Sequence, residues 1–237
     1  MRQNGRPFDK IRPINIVPNY LKFAEGSAYI ELGETKVITT VSVEEKVPAF
    51  LKGTGKSWIS AEYSMLPRST EKRNVRESTQ GRVSGRTHEI QRMIGRSLRA
   101  VVDLNLLPEK TIFIDCDVIQ ADGGTRTASI TASCVALGLA FQKMVEKNLI
   151  QQNPLKKLVA AISVGIIDGN KLLDMDYNED SRAEIDLNVV QTETGEIVEI
   201  QGTGEVRPFT IEEIIDLTSL ARKGLEEIFE IQRRILF

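Results

Sequence analysis

Apolar and polar side chains alternate along two stretches of the first third of the chain, as they do in half-buried β-strands. Residues 27–45 place three valines at even spacing, and residues 58–66 form a further candidate strand. Helical periodicity replaces this alternation from about Arg86 onward, where apolar residues recur every three or four positions. These residues are Ile90, Ile94, Leu98 and Val101. The pattern therefore predicts several strands followed by one long amphipathic helix.

The second half of the chain repeats this order of elements. Residues 112–118 alternate as a strand, the sequence Asp122-Gly123-Gly124 indicates a turn, and an apolar helical stripe runs from Ile130 to Val145. Further strands are predicted at 158–167, 171–177 and 183–189. A third helix is predicted to begin after Thr210, whose hydroxyl can form a capping box with Glu213.

The repetition of strands and long helices predicts an α+β fold. We expect a single compact domain over residues 1–237, made of two similar halves that each contain a mixed sheet and long helices. The first half spans about 1–108 and the second about 109–237, and no low-complexity linker divides them. The two halves are therefore not expected to be independent domains.

Composition excludes several classes of protein. With 41% hydrophobic and 27% charged residues among 237, the chain has the composition of a folded domain rather than of a disordered one. The apolar run at 158–167 is about half of a membrane span, and no apolar signal core follows Met1. We therefore expect a cytoplasmic protein without a membrane partner. A single histidine, His88, excludes zinc fingers and two-histidine metal motifs.

The net charge of −2 conceals a strong asymmetry. Between Leu66 and Arg99 nine basic residues face three acidic ones, so the remainder of the chain sums to −8. Eight of the nine are arginines, whose planar guanidinium suits phosphate groups. Residues 68–85 have no apolar period, which predicts a long polar loop, and loops of this length are commonly functional. A solvated surface is the alternative interpretation.

The glycine turn is a candidate anion site. Gly123 and Gly124 stand between a predicted strand and a predicted helix, and Thr125 and Arg126 open that helix. Unpaired backbone N–H groups and the positive end of the helix dipole favour an anion at this position. Arg86 stands at a second helix start. A simple reversal of the chain remains the alternative for the glycine pair.

Acidic residues form a second candidate site. Even spacing places Glu184, Asp186 and Asn188 on the polar face of one strand, and Asp180 lies in the turn before it. Hard oxygen ligands of this kind suit magnesium or manganese. On spacing alone, a solvated strand face explains the pattern equally well.

These residues also carry a resemblance. Over nearly its whole length the chain resembles the bacterial ribonuclease PH family, the phosphorolytic exoribonucleases that trim transfer-RNA precursors from the 3′ end. The run from Asp115 to Ala128 is the most specific match. Shorter matches lie at residues 5–6, 12–13, 24–27, 42–45, 61–63, 65–68, 85–87, 89–92, 94–99, 179–181 and 201–203.

The resemblance implies a ribonuclease PH-like fold and assigns roles to residues. It implies that phosphate is bound by Arg86, Gly124, Thr125 and Arg126, and that a divalent metal, expected to be magnesium, is bound by Asp180 and Asp186. Arg86, Arg126, Asp180 and Asp186 would then form the catalytic set. The sequence departs from the family pattern at Ser84, at Arg182 and in residues 204–207.

The implied reaction uses inorganic phosphate as a co-substrate and releases nucleoside diphosphates from transfer-RNA precursors and other RNA 3′ ends. The reaction is reversible, so nucleotides can also be added. The implied assembly is a homohexamer, a trimer of dimers. We expect RNA to be bound by arginines of the basic region, namely Arg68, Arg73, Arg76, Arg92, Arg96 and Arg99.

Two other functions remain open. A hydrolytic metal-dependent nuclease could use the same acidic residues, but it would need two metals or a base to activate water. A non-catalytic RNA-binding subunit of a ring would keep the fold without the reaction.

Overall fold

The computed structural model describes Arg2 and residues 5–237, and a five-stranded sheet organises its first half. Across the sheet the strand order is β1-β2-β3-β5-β4. Neighbouring strands are antiparallel except β4 and β5, which are parallel. The strands are β1 (Ile14–Pro18), β2 (Gly26–Leu32), β3 (Thr35–Glu44), β4 (Trp58–Met65) and β5 (Thr111–Gln120).

A second sheet contains four antiparallel strands in the order β7-β6-β8-β9. Its central strand β6 is buried along its whole length, because it lies inside the sheet and packs against two long helices. The apolar run of this strand therefore reflects burial on both faces. The strands are β6 (Val159–Ile167), β7 (Asn170–Leu173), β8 (Ile185–Thr192) and β9 (Ile197–Gly204).

The helix α3 (Thr125–Glu146) lies between the two sheets, since it contacts β2 and β3 on one side and β6 on the other. By length and composition α3 could also cross a membrane, but 83% of its apolar segment is buried inside the fold. Burial on all sides explains why it lacks a polar face. The helix forms the centre of the hydrophobic core.

Two further long helices cover the sheets. The helix α2 (Gly85–Arg99) packs on β4 and α3, and α5 (Ile211–Leu236) packs on β6. Thr210 and Glu213 form the predicted capping box at the start of α5. Short helices occupy Ala49–Leu51, Glu77–Gln80 (α1), Leu104–Leu106 and Tyr177–Asp180 (α4).

The α+β architecture of sheets and long helices is confirmed, with differences in detail. The strands β1 and β9 were not predicted, since both lie at sheet edges and β9 is largely exposed. The strand predicted at 171–177 ends at Leu173, because Asp174 adopts a left-handed backbone with φ 53° and turns the chain toward α4. Asp180 belongs to that helix rather than to a turn.

The boundary between the two sheets does not lie near residue 108, where the sequence analysis placed the boundary between the two halves. The strand β5 pairs with β3 and β4 and so completes the first sheet. The change from one sheet to the other falls between α3 and β6, rather than near residue 108. Because α3 contacts both sheets, the two halves share one core.

Candidate active site

The glycine turn leads directly from β5 into α3. Gly123 and Gly124 both adopt left-handed backbones, with φ of 73° and 67°, and no side chain caps the helix start. Among the described residues, no acceptor is found for the backbone N–H groups of Thr125, Arg126 and Thr127. Unpaired N–H groups at the start of a 22-residue helix form a site for an anion.

Arg126 is held at this helix start by a three-member network. Its Nη1 donates to Glu89 Oε1 at 3.2 Å and to Gln201 Oε1. Gln201 Nε2 in turn donates to the same Glu89 oxygen at 2.8 Å. The three residues belong to α3, α2 and β9, so Arg126 is oriented by elements from both halves of the fold.

Arg86 occupies the first turn of α2, and its position depends on α1. Ser84 caps α2 by accepting from the Thr87 N–H at 3.1 Å. Glu77 of α1 accepts from the Ser84 N–H at 3.2 Å and from the Thr87 hydroxyl at 2.7 Å. Arg86 is exposed and its side chain forms no hydrogen bond or ion pair with a described residue, so its guanidinium is available to a ligand.

The acidic residues lie on the polar face of the second sheet. In register, Asp186 of β8 is flanked by Gly165 and Thr203 of the neighbouring strands. The adjacent row contains Asn188, whose Nδ2 donates to Asp186 Oδ2 at 3.4 Å. Asp180 is the last residue of α4, and a capping box formed by Asp176 begins this helix. The prediction that Asp186 and Asn188 share one strand face is therefore confirmed. It is wrong for Glu184, which precedes β8 and accepts from the Gly169 N–H and from Arg207 Nε.

The four predicted catalytic side chains act on one another through their charges. The pKa of Asp186 is raised to about 6, first by burial and then by the charge of Asp180, against the opposing effect of Arg126. Burial also raises the pKa of Asp180, while Arg86 and Arg126 oppose that rise. Glu205 adds further negative charge near both aspartates.

The acidic pair fits a divalent cation. Asp186 Oδ1 is buried and accepts no hydrogen bond from any described residue. A cation would bind this oxygen and offset the repulsion between Asp180 and Asp186. Within the described residues no cluster of three or more His, Cys, Asp or Glu side chains forms a metal site. An ion held by two carboxylates would keep several waters, as magnesium does.

The glycine turn, the two arginines and the two aspartates line one cleft of about 1040 Å³ between the two sheets. The predicted phosphate-binding residues Arg86, Gly124, Thr125 and Arg126 lie in the same cleft as the predicted metal ligands Asp180 and Asp186. The Thr125 hydroxyl lies 2.9 Å from the Tyr63 hydroxyl. The structure thus joins the two candidate sites into one.

Arg182 does not pair with either aspartate. Its Nε donates to the Asn178 carbonyl at 2.9 Å, within the same turn of chain. Arg182 stands between Asp180 and Asp186 in sequence and lines the same cleft, but it forms no ion pair with either carboxylate.

The arginines predicted to bind RNA fall into two groups. Arg68, Arg73 and Arg76 project from the basic loop (residues 68–84), and Arg92 projects from α2. All four are exposed, and their side chains form no hydrogen bond or ion pair with another described residue. The charge of Arg76 nonetheless acts on Asp117 of β5. The basic loop itself reaches the cleft through Thr70, Lys72 and Asn74. These arginines remain available for RNA phosphates.

The other two predicted RNA-binding arginines, Arg99 and Arg96, are held by residues of the fold itself. The Arg99 guanidinium stacks 4.4 Å from the Trp58 ring centre, and its Nη1 donates to the Ile59 carbonyl at 2.6 Å. Arg99 lies about 20 Å along α2 from Arg86, so it stabilises the packing of α2 on β4. Arg96 forms a two-point ion pair with Glu199 of β9. Helical periodicity could not reveal either partner.

Several residues of the cleft were not predicted as functional. Gln201 and Thr203 belong to β9, whose exposed edge position hid it from pattern analysis. In the sequence, only the short match to the ribonuclease PH family at residues 201–203 pointed to Gln201 and Thr203. Asn188 was placed on the correct strand face without a role, and Lys72 was counted only as part of a basic run.

Comparison with known proteins identifies the family. Residues 10–141 match domain 1 of the 3′ exoribonuclease family, and residues 157–224 match domain 2 of the same family. The chain belongs to the 3′ exoribonuclease family. The two family domains meet between α3 and β6, where the structure changes from one sheet to the other.

Solved structures with the same fold confirm the ribonuclease PH-like architecture of this family member. Rice (Oryza sativa) Rrp46 is 22% identical, with a TM-score of 0.80, and the match covers all of both chains. A chain of the Archaeoglobus fulgidus exosome with RNA bound to the active site is 24% identical, with a TM-score of 0.81, over 96% of this chain and 92% of that one. A chain of an archaeal exosome core is 22% identical, with a TM-score of 0.76, over 97% and 90%.

Proposed function

We propose that this 3′ exoribonuclease family member is a phosphorolytic enzyme that shortens RNA from the 3′ end. One observation carries the proposal. Two arginines and the open N-terminus of α3 share a cleft with a pair of partly desolvated carboxylates. The first set suits an inorganic phosphate, and the second suits a divalent metal.

In the proposed reaction an oxygen of inorganic phosphate attacks the phosphorus of the last phosphodiester. The bond from that phosphorus to the 3′ oxygen of the preceding nucleotide breaks, and this oxygen takes up a proton. The products are a nucleoside 5′-diphosphate and an RNA one nucleotide shorter. The same steps in reverse extend the RNA.

The residues contribute position and charge rather than a strong base. Arg126 and Arg86 bind and orient the phosphate, and the N–H groups of Thr125 and Arg126 add hydrogen bonds. The phosphate is already ionised, so no base is required to create the nucleophile. The single histidine fits this scheme, because His88 is exposed, lies near Gln91 on α2 and does not line the cleft.

Asp180 and Asp186 would hold the metal, expected to be magnesium. When bound, the ion supplies positive charge to the oxygens of the attacked phosphodiester. Asn188 donates to Asp186 Oδ2, and the unpartnered Oδ1 would be the oxygen offered to the ion.

The proposed substrates are the 3′ ends of transfer-RNA precursors and other RNAs in the cytoplasm, as implied by the resemblance to bacterial ribonuclease PH. Support comes from the exposed arginines Arg68, Arg73, Arg76 and Arg92 around the cleft. We propose a homohexameric trimer of dimers as the assembly.

A second candidate is a ring subunit that binds RNA without degrading it. Its support is the likeness of the whole fold to rice Rrp46 and to chains of archaeal exosomes. One of those structures has RNA bound to the active site. Of these two functions, the complete set of arginines and aspartates in the cleft favours the phosphorolytic enzyme.

One assay distinguishes these functions. The protein is incubated with a 3′-labelled RNA and magnesium, with or without inorganic phosphate, and the released nucleotides are separated. Phosphorolysis gives nucleoside diphosphate only with phosphate, and Arg126→Ala loses it. Nucleoside monophosphate without phosphate indicates a hydrolase. RNA binding with no product in either buffer indicates a non-catalytic ring subunit.

A further inference from the structure

Arg12, which stands just before β1, is buried against Asp174 at the end of β7. Its Nε donates to Asp174 Oδ2 at 2.9 Å, and its Nη2 donates to Oδ1 at 2.6 Å. The backbone N–H of Arg12 adds a third bond to Oδ2 at 2.7 Å. Asp174 is completely buried, so this two-point pair is not screened by water.

The same guanidinium also holds the glycine turn. Arg12 Nη1 donates to the carbonyl of Asp122, and Nη2 lies 3.4 Å from the carbonyl of Gly123. On the other side of the turn, the Thr35 hydroxyl donates to the Gly123 carbonyl at 2.6 Å. One planar group therefore connects the carboxylate after β7 to the phosphate-binding turn before α3.

Asp174 begins the segment that ends at Asp180. Arg2 donates to the Asp174 carbonyl at 3.1 Å and pairs with Glu179, with an Nε to Oε1 distance of 2.7 Å. Glu179 closes the capping box of α4, whose last residue is Asp180. The segment that carries the metal-ligand candidate Asp180 is thus fixed at Asp174, the residue that also pairs with Arg12.

We propose that Arg12 and Asp174 are positioning residues that set the phosphate-binding turn at its correct place beside Asp180. The inference rests on the proposed function, because it assigns the turn to phosphate. Neither residue lines the cleft, so both act through the backbone that they hold. A displacement of about 1 Å in a catalytic arrangement lowers the rate strongly.

Two conservative variants test this role. Arg12→Lys keeps the positive charge but lacks the planar fork, so it cannot bind both Asp174 oxygens and both turn carbonyls. Asp174→Asn keeps the shape and tolerates the left-handed backbone that Asp174 adopts, with φ 53°. Neither change replaces a residue that lines the cleft.

Gln232→Ala is the matched control. Gln232 is completely buried in α5, and its Nε2 donates to the carbonyls of Thr131 and Val159 at 3.0 and 3.1 Å. Its loss removes two buried hydrogen bonds without touching the turn. The control therefore shows what a purely structural destabilisation does to phosphate binding.

The measurement is the affinity of each full-length protein for inorganic phosphate by titration calorimetry, together with KM for phosphate and kcat on RNA. We expect Arg12→Lys and Asp174→Asn to weaken phosphate affinity about fivefold or more, with a matching rise in KM. Gln232→Ala should keep its affinity within about twofold although its Tm falls. If Asp174→Asn does not fold, Arg12→Lys provides the comparison.

The outcomes separate this inference from the proposed function. Unchanged phosphate affinity in both folded variants overturns the positioning role and leaves phosphorolysis intact. A wild type that binds phosphate but releases no nucleoside diphosphate overturns phosphorolysis, while the binding data still decide the positioning role. A wild type that does not bind phosphate overturns both.

Discussion

The glycine turn and the basic loop both border the cleft, yet they are held in different ways. Gly123 lies against the backbone of the segment that precedes α4. An added Cβ there would be only 2.6 Å from the Met175 carbonyl oxygen. Gly81 in the basic loop has a similar backbone, with φ 68°, but a Cβ there would meet nothing within 4 Å. The turn is enclosed by the fold, whereas the loop is open to solvent.

The difference follows from what each segment binds in the proposed reaction. A small anion must be placed to within a fraction of an ångström, so the turn is held by partly buried hydrogen bonds from Arg12 and Thr35. A long RNA is attracted through many phosphates, and exposed arginines serve this purpose without fixed geometry. Four predictions test the contrast, beginning with the largest expected effect.

Asp180 and Asp186 lie with the enclosed glycine turn rather than with the open basic loop. Variants of these two aspartates should therefore affect the reaction rather than RNA binding. Asp180→Asn and Asp186→Asn keep the shape and remove one charge. We expect kcat to fall by about two orders of magnitude or more, the scale for loss of one preorganised electrostatic element. Transfer-RNA affinity, measured by filter binding, should change little. Near-normal kcat in both variants with magnesium present would show that the acidic strand is only a solvated face.

Alanine in place of the two left-handed glycines compares the turn and the loop directly. Gly81→Ala should cost about 1 kcal/mol of unfolding free energy, because only backbone strain opposes it. Gly123→Ala should cost about 3 kcal/mol or more, since the new Cβ also meets the backbone of Met175 and Asp176. Urea unfolding measures both values. Equal losses would mean that the turn is no better enclosed than the loop.

The raised pKa of Asp186 predicts how stability depends on pH. The folded protein binds this proton more tightly than the unfolded chain, because the pKa is about 6 rather than about 4. The resulting stability is present below pH 4 and is lost as the pH rises through 6. Without divalent metal, wild type should lose about 2 kcal/mol relative to Asp186→Asn between pH 4 and 8.

Urea unfolding at several pH values checks this loss. Magnesium at pH 8 should stabilise the wild type more than Asp186→Asn, since the ion needs the carboxylate. Parallel stability curves for the two proteins would contradict the assigned desolvation of Asp186.

The loop arginines should give the smallest single effects. Alanine at Arg68, Arg73 or Arg76 should each weaken transfer-RNA binding about threefold at low salt and flatten the salt dependence of log Kd by about one unit or less. Arg222→Ala, an exposed arginine of α5, is the control for general charge loss. A triple variant with the wild-type salt slope would show that the basic loop does not contact RNA.

Local patterns in the sequence predicted most of the elements and the chemistry of the site. The alternation around Asp186, the glycine pair before α3 and the Thr210 capping box each depend on residues within a few positions of one another. Such spacing has direct geometric consequences in strands and helices. Arg86 and Arg126 were correctly placed at helix starts, although nothing local showed that they share a cleft with the aspartates.

Only the tertiary structure decided which distant residues meet. Gln201 reaches Arg126 from an edge strand, Arg99 stacks on Trp58, and Arg182 donates to the Asn178 carbonyl rather than to an aspartate. Arg12 and Asp174 are separated by 162 positions, and each is an ordinary charged residue in its own segment. Sequence spacing determines which face of an element a side chain occupies, but its partner is determined by the packing of whole sheets and helices.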